Sequence, residues 1–182
     1  DHPYQYIQDG IDVANPGHKI IVVYGTYNEN LMIEKNDIVI IPNTFDQPII
    51  DGGGSGSVAT ITGDWVTLHG FTIQNSGNME EDAGVDLISD NTIIFGNNIM
   101  GNQNVIYLHQ SANNNEIYDN DIKSNVWGVF IWEESNNNRI YTNNLISNTG
   151  FNAKDTSQNI WYSDIFNGNY WDDYSGLDSN GD

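Results

Sequence analysis

The sequence predicts an all-β fold, a right-handed single-stranded parallel β-helix with a capping helix at its N-terminal end. Three observations support this fold class: a repeat of 23 residues, asparagines at matched positions of the repeat, and short alternating apolar runs. One asparagine recurs with this period and a second follows in the same register: Asn97, Asn120 and Asn143, then Asn102, Asn125 and Asn148. Asparagine suits a corner because it tolerates left-handed backbone and its amide can hydrogen-bond from coil to coil.

The first predicted element is the capping helix, at residues 4–15. Ile7, Ile11 and Ala14 fall on one helical face, and Pro16-Gly17 ends the helix despite the cost of Gly10 inside it. A solenoid needs such a cap because each coil is buried only by its neighbours.

Stacked coils are predicted over residues 17–160, and residues 161–182 are expected to form a C-terminal cap with an acidic tail. The first coils are expected to be rich in strands at residues 19–24, 31–33, 38–41, 49–50, 58–62 and 66–73. Alternation directs four columns of apolar side chains inward: Ile94/Ile117/Ile140, Ile99/Ile122/Leu145, Val85/Ile106/Val129 and Leu87/Leu108/Ile131.

Composition limits the classes of function. The 182 residues suit one domain, and 12% aromatic residues exclude a disordered chain. With 25 acidic and 5 basic residues, the net charge of −20 disfavours nucleic acid and anionic membrane surfaces as partners. The chain has no cysteine, hence no disulfide and no thiolate metal site, and no apolar run reaches the length of a membrane span.

Several segments resemble the NosD-like and pectate-lyase-like repeat family, also called the carbohydrate-binding and sugar-hydrolysis domain. They are residues 14–17 (ANPG), 21–30 (IVVYGTYNEN), 49–54 (IIDGGG), 70–73 (GFTI) and 168–176 (GNYWDDYSG), the last resembling archaeal cell-surface members. The resemblance covers nearly the whole chain and implies a β-helix in an extracellular or cell-surface setting. It implies activity only weakly, because many members carry no known catalytic site.

The family name also suggests copper. The histidines and methionines fall in different registers of the repeat, whereas a soft metal site needs ligands that converge. We therefore interpret these side chains as structural or surface residues: His2, His18, His69, His109, Met32, Met79 and Met100.

The candidate binding surface is an aromatic strip on the outer face of one sheet. If Val85, Ile106 and Val129 point inward, their neighbours form two outward columns, Asp86/Tyr107/Phe130 and Ile88/His109/Trp132. Exposed aromatic rings with polar neighbours suit the faces and hydroxyls of sugars. The predicted substrate-binding residues are Asp86, Tyr107, His109, Trp127, Phe130, Trp132, Glu133 and Glu134. The alternative is that loops or another chain cover the strip as ordinary packing.

A second outward column, Phe95/Tyr118/Tyr141, lies beside Glu116 and Arg139. Stacked aromatics stabilise a parallel sheet by themselves, so we interpret this column as structural.

Two acidic segments are candidate Ca²⁺ ligands. Glu80, Glu81 and Asp82 lie in an insertion that breaks the coil period, although an acidic run is also typical of a solvated loop. Asp178, Asn180 and Asp182 have the spacing that opens a calcium loop, and the sequence ends before the acidic residue that closes one.

The sequence favours an extracellular module that contacts polysaccharide without catalysis, with Ca²⁺ as its candidate cofactor. One alternative is a structural subunit that assembles with copies of itself through the aromatic columns. The other is a polysaccharide lyase or hydrolase, although no motif places a basic side chain beside a carboxylate cluster. The basic residues are Lys19, Lys35, Lys123, Arg139 and Lys154.

Overall fold

The structure is a computed structural model that describes residues 4–44, 46–132, 134–165 and 167–173. In these residues the chain forms one helix, α1 (Ile7–Val13), and nineteen strands in three parallel sheets. The first sheet contains β1 (Lys19–Val22), β4 (Val39–Pro42), β7 (Thr67–His69), β10 (Ile93–Phe95), β13 (Glu116–Tyr118) and β16 (Arg139–Tyr141).

The other two sheets take the remaining strands in turn. The second sheet contains β2 (Thr26–Asn28), β5 (Ile49–Asp51), β8 (Thr72–Gln74), β11 (Asn98–Met100), β14 (Asp121–Lys123), β17 (Asn144–Ile146) and β19 (Tyr170–Trp171). The third contains β3 (Leu31–Ile33), β6 (Ala59–Ile61), β9 (Ala83–Leu87), β12 (Asn104–Leu108), β15 (Trp127–Ile131) and β18 (Ala153–Asp155). Each of the first six coils gives one strand to each sheet, and β19 follows in the second sheet, which confirms the predicted parallel β-helix.

Helix α1 covers the N-terminal end of the solenoid, where it lies against β1 and β3. It is shorter than the predicted 4–15, and its apolar face is the predicted one, since Ile7 and Ile11 are buried. The Glu29 carboxylate accepts hydrogen bonds from the backbone N–H groups of Ile7 (2.9 Å) and Gln8 (3.0 Å). These donors have no partner inside a helix, so Glu29 fixes where α1 begins.

The inward columns follow the predicted register. Ile94 pairs with Ile117 and Ile117 with Ile140, while Ile106 pairs with Val85 and Val129. Every member of the four predicted columns is fully buried. The core is therefore a set of aliphatic ladders along the axis, and the side chains between them face outward.

Buried asparagines form hydrogen-bonded ladders at the corners. The backbone N–H of Asn97 donates to Oδ1 of Asn120 (3.0 Å), and that of Asn120 donates to Oδ1 of Asn143 (3.0 Å). Asn169 extends this ladder by one coil, accepting from the N–H of Asn143 at 3.1 Å. Parallel ladders run through Asn102/Asn125/Asn148 and Asn115/Asn138/Asn159.

The structure adds detail to two of the expected segments. The segment 66–73 is not one strand but two, β7 and β8, because Gly70 adopts a left-handed φ of 84° and turns the chain between them. The coils also continue past residue 160, because β19 pairs with β17 and extends the second sheet. No helix of the described residues has the length and apolarity needed to cross a membrane.

Candidate functional site

The outer face of the third sheet presents the aromatic strip. Strands β9, β12 and β15 place Asp86, Tyr107 and Phe130 side by side, and β18 adds Lys154 to the same column. His109 and Trp132 stand two residues further along, just after β12 and β15. Because Leu87, Leu108 and Ile131 between the two columns are buried, the predicted outward direction of both columns is correct.

The rings of the strip pack closely against one another. Tyr107 stacks on His109 with ring centroids 4.3 Å apart and on Phe130 at 5.3 Å. The Trp132 ring meets Phe130 edge-on at 5.5 Å. Most of the strip is consequently half-buried, and Trp132, at 38% exposed, is the ring it offers most openly to solvent.

A hydrogen bond joins the two polar members of the strip. Nε2 of His109 lies 2.7 Å from Oδ1 of Asp86, one coil away, and both side chains are largely buried. The carboxylate therefore fixes the orientation of the imidazole, which in turn fixes its stack on Tyr107.

Lys154 and Phe151 complete the strip on its C-terminal side, and neither is among the predicted binding residues. The Lys154 ammonium lies 4.9 Å from the ring centroid of Phe130 and 5.3 Å from that of Trp132. Phe151 packs against Trp127, with ring centroids 4.5 Å apart. Both residues belong to the last coil, where the 23-residue period fails, so no register was available to place them.

Glu134 lies away from the rings, in an open polar pocket at the corner that follows the third sheet. This pocket has a volume of about 740 Å³ and is lined by Ser111, Asn113, Glu134, Asn136, Thr156, Ser157 and Gln158. The predicted binding residue Glu133 falls outside the described residues. The structure thus gathers Asp86, Tyr107, His109, Phe130 and Trp132 on one face and leaves Glu134 beside it.

The acidic insertion does not form a cluster. Glu80 and Glu81 are exposed, whereas the Asp82 carboxylate turns back to accept a hydrogen bond from the Met79 N–H at 2.9 Å. Among the described residues, no group of three or more His, Asp or Glu side chains could hold a metal ion. The other candidate ligands, Asp178, Asn180 and Asp182, lie outside the described residues, so calcium binding stays a prediction.

The outward column of the first sheet is a continuous stack of rings. His69 precedes the predicted members, with centroid distances of 4.0, 4.9 and 5.1 Å along His69, Phe95, Tyr118 and Tyr141. Burial and the adjacent Glu116 carboxylate raise the pKa of Tyr141 to about 12. Arg139 lies 4.0 Å from Glu116 and closer, at 2.5 Å, to Asp164. The ring faces are used within the stack, in agreement with a structural role.

A family model described as periplasmic copper-binding protein (NosD) matches residues 4–176. No curated protein matches the chain.

The described residues do not fit a copper site. His69 stacks on Phe95 and hydrogen-bonds its carbonyl, His109 bonds Asp86, and Nδ1 of His18 accepts from the Asn15 N–H. The methionines are equally scattered: Met32 is on the third sheet, Met100 on the second and Met79 in the insertion. Donors this far apart in the fold do not converge, and we derive no chemistry through copper.

Two crystal structures share the fold. An alginate lyase from Paenibacillus sp. str. FPU-7 matches with a TM-score of 0.69 and 16% identity, over 79% of this chain and 55% of that chain. A pectin methylesterase mutant in complex with a hexasaccharide matches with a TM-score of 0.56 and 16% identity, over 81% and 57%. This chain therefore spans little more than half the length of either. Because the family model covers nearly all of a chain that forms the expected coils, the chain belongs to the NosD family.

Proposed function

We propose that the chain is an extracellular or periplasmic module that binds polysaccharide on the aromatic strip and does not cleave it. The observation that carries the proposal is the arrangement of side chains from successive coils, with Trp132 exposed beside Lys154 and the Asp86–His109 pair. An open indole suits the C–H face of a sugar ring, and the polar neighbours suit its hydroxyls. The two structural neighbours are named for enzymes of polysaccharides, which supports this class of partner.

The strip is an elongated open surface and not a closed pocket. Its members repeat from coil to coil along the axis, with neighbouring strands about 4.8 Å apart. A linear polymer lying along the axis would meet equivalent positions on several coils. This geometry favours an extended chain over a small isolated ligand.

The proposed absence of cleavage follows from the same residues. Glycoside hydrolysis uses two carboxyl groups about 5 to 9.5 Å apart, one on each side of the scissile bond. Among the described residues of the two strip columns, Asp86 is the one carboxylate, and it hydrogen-bonds His109. A lyase is the second candidate, because the Asp86–His109 hydrogen bond also resembles an oriented proton acceptor.

The proposal is tested by tryptophan fluorescence titration with neutral and acidic polysaccharides, with and without Ca²⁺. We expect a saturable change for the wild type, and an affinity at least about fivefold weaker for Trp132→Ala because a sugar-stacking face is removed. The matched control is Trp65→Ala, since Trp65 is exposed at a corner three coils away. We expect that variant to bind as the wild type does.

Different outcomes separate the alternatives. Binding that survives Trp132→Ala would contradict the proposed surface. Release of shorter chains, lost in His109→Gln, would establish the lyase or hydrolase alternative instead. No response to any polysaccharide, together with concentration-dependent assemblies in light scattering, would favour the structural subunit.

A further inference from the structure

The polar pocket beside the strip spans three coils. Ser111, Glu134 and Ser157 occupy successive coils at the corner that leads from the third sheet back to the first, and all three line the pocket. Thr156 lines it too, and this residue lies next to Trp132 because Ile131 pairs with Asp155 just before them. The backbone that carries the exposed indole and the backbone at this edge of the pocket are therefore about one strand spacing apart.

The two asparagines of the pocket, Asn113 and Asn136, hydrogen-bond its backbone. Oδ1 of Asn113 accepts from the N–H of Asn136 (2.8 Å), and Oδ1 of Asn136 accepts from the N–H of Gln158 (2.9 Å). Their amide groups donate to the carbonyls of Ser111 and Glu134. This ladder sets the spacing between the coils and so fixes the positions of the neighbouring side chains.

Four other polar side chains line the same pocket. The hydroxyls of Ser111 and Ser157, the carboxylate of Glu134 and the amide of Gln158 form no hydrogen bond or ion pair within the described part of the chain. They supply donors and acceptors around one open space. A ligand rich in hydroxyl groups can use both kinds, because each hydroxyl donates once and accepts twice.

The corner that carries the pocket has left-handed backbone. Ser111 and Glu134 adopt left-handed φ values of 64° and 58°. Other corners of the solenoid use the same region, with asparagine, aspartate and glycine and also with Trp65, Gln110, Ser124, Thr142 and Ser147. This backbone turns the chain at the corner and so sets the direction of the two side chains.

We propose that this pocket is a hydrogen-bonding subsite for an uncharged sugar unit, adjacent to the unit that stacks on Trp132. Glu134 is the one ionisable side chain among its described lining residues, so the pocket accepts hydroxyl donors and repels carboxylate-bearing sugars. The inference rests on the proposed function and adds to it the substrate class: a neutral polysaccharide in preference to an acidic one.

The test is calorimetric titration of the whole chain with uncharged gluco-, manno- and xylohexaose and with hexaoses of galacturonate and mannuronate. We expect the tightest binding from an uncharged hexaose. Ser157→Ala and Glu134→Gln should each weaken it about three- to tenfold, the usual effect of losing one hydrogen bond. Glu134→Gln should also narrow the difference between neutral and acidic hexaoses, because it removes the charge that repels the latter.

The matched control is Asp119→Asn. Asp119 is exposed and has left-handed backbone at a different corner, so this substitution should leave every affinity unchanged. Two results would overturn the subsite and leave the proposed function standing. One is tightest binding to a uronate hexaose. The other is wild-type affinity in both pocket variants while Trp132→Ala loses binding. Absence of binding to every hexaose and to the polysaccharides would overturn both. Circular dichroism of each variant confirms that the fold is retained.

Discussion

Single buried asparagines satisfy the backbone of two neighbouring coils at once. Nδ2 of Asn120 donates to the carbonyls of Ile94 and Tyr118, both at 3.0 Å, and to Oδ1 of Asn143 at 2.9 Å. Its Oδ1 accepts from the N–H of Asn97 at 3.0 Å. Each of these buried backbone groups would be costly to leave unpaired.

Asn120→Ala should therefore destabilise the protein strongly. Because it leaves the Asn97 N–H and the Ile94 carbonyl buried without this partner, we expect a loss of about 3 to 5 kcal/mol in the free energy of unfolding. Urea unfolding followed by circular dichroism measures it.

Asn144→Ala is the control, because the Asn144 side chain is exposed and its one hydrogen bond to a described residue is to the Asp121 carboxylate, at 2.8 Å. Its change should be within about 0.5 kcal/mol. Equal effects of the two substitutions would show that the ladder contributes little to stability.

The residue scale also marks the limit of prediction from sequence. Period and alternation give the direction of a side chain, so the inward ladders and the outward columns could be predicted. They do not give its solvent exposure: Tyr107 and His109 were expected to be exposed but are half-buried, because their rings stack on each other. Lys154 reaches the strip across the last strand pair, which no repeat in the sequence indicated.

The capping helix α1 is only seven residues long and contains Gly10. Glycine costs about 1 kcal/mol in a helix interior relative to alanine. A Cβ at this position would lie 3.5 Å from the nearest atom, Cγ2 of Ile20, which is an ordinary contact. We expect Gly10→Ala to stabilise the protein by about 0.5 to 1 kcal/mol, measured as a higher urea midpoint.

Gly70→Ala provides the opposite case. Gly70 has a left-handed φ, and an added Cβ would lie 2.8 Å from Cγ of Pro42, so this substitution should destabilise the corner between β7 and β8. If Gly10→Ala also lowered the midpoint, the cap would require the freedom of glycine for a reason other than helix formation.

The existence of the elements could be predicted from the sequence, but their boundaries could not. The existence of the strands followed from the apolar runs, whereas the division of 66–73 depended on one φ angle. The start of α1 depends on Glu29, which lies 22 residues away in sequence. Contacts of this range are set by the stacking of coils and not by local pattern.

At the scale of the molecule, the coils that build the core also align the candidate site. Strip and pocket draw residues from four successive coils, so neither exists in any one repeat. The strip could be predicted because its residues recur in register. The pocket could not, because its open side chains differ from coil to coil and only its asparagines repeat.

The central claim is that polysaccharide lies along the third sheet, and a crystal structure with the tightest-binding hexaose tests it most directly. The account predicts one sugar ring against the indole of Trp132 and the next with its hydroxyls toward Ser157 and Glu134. A hexaose seated instead on the aromatic stack of the first sheet, or at the N-terminal end beside α1, would contradict it.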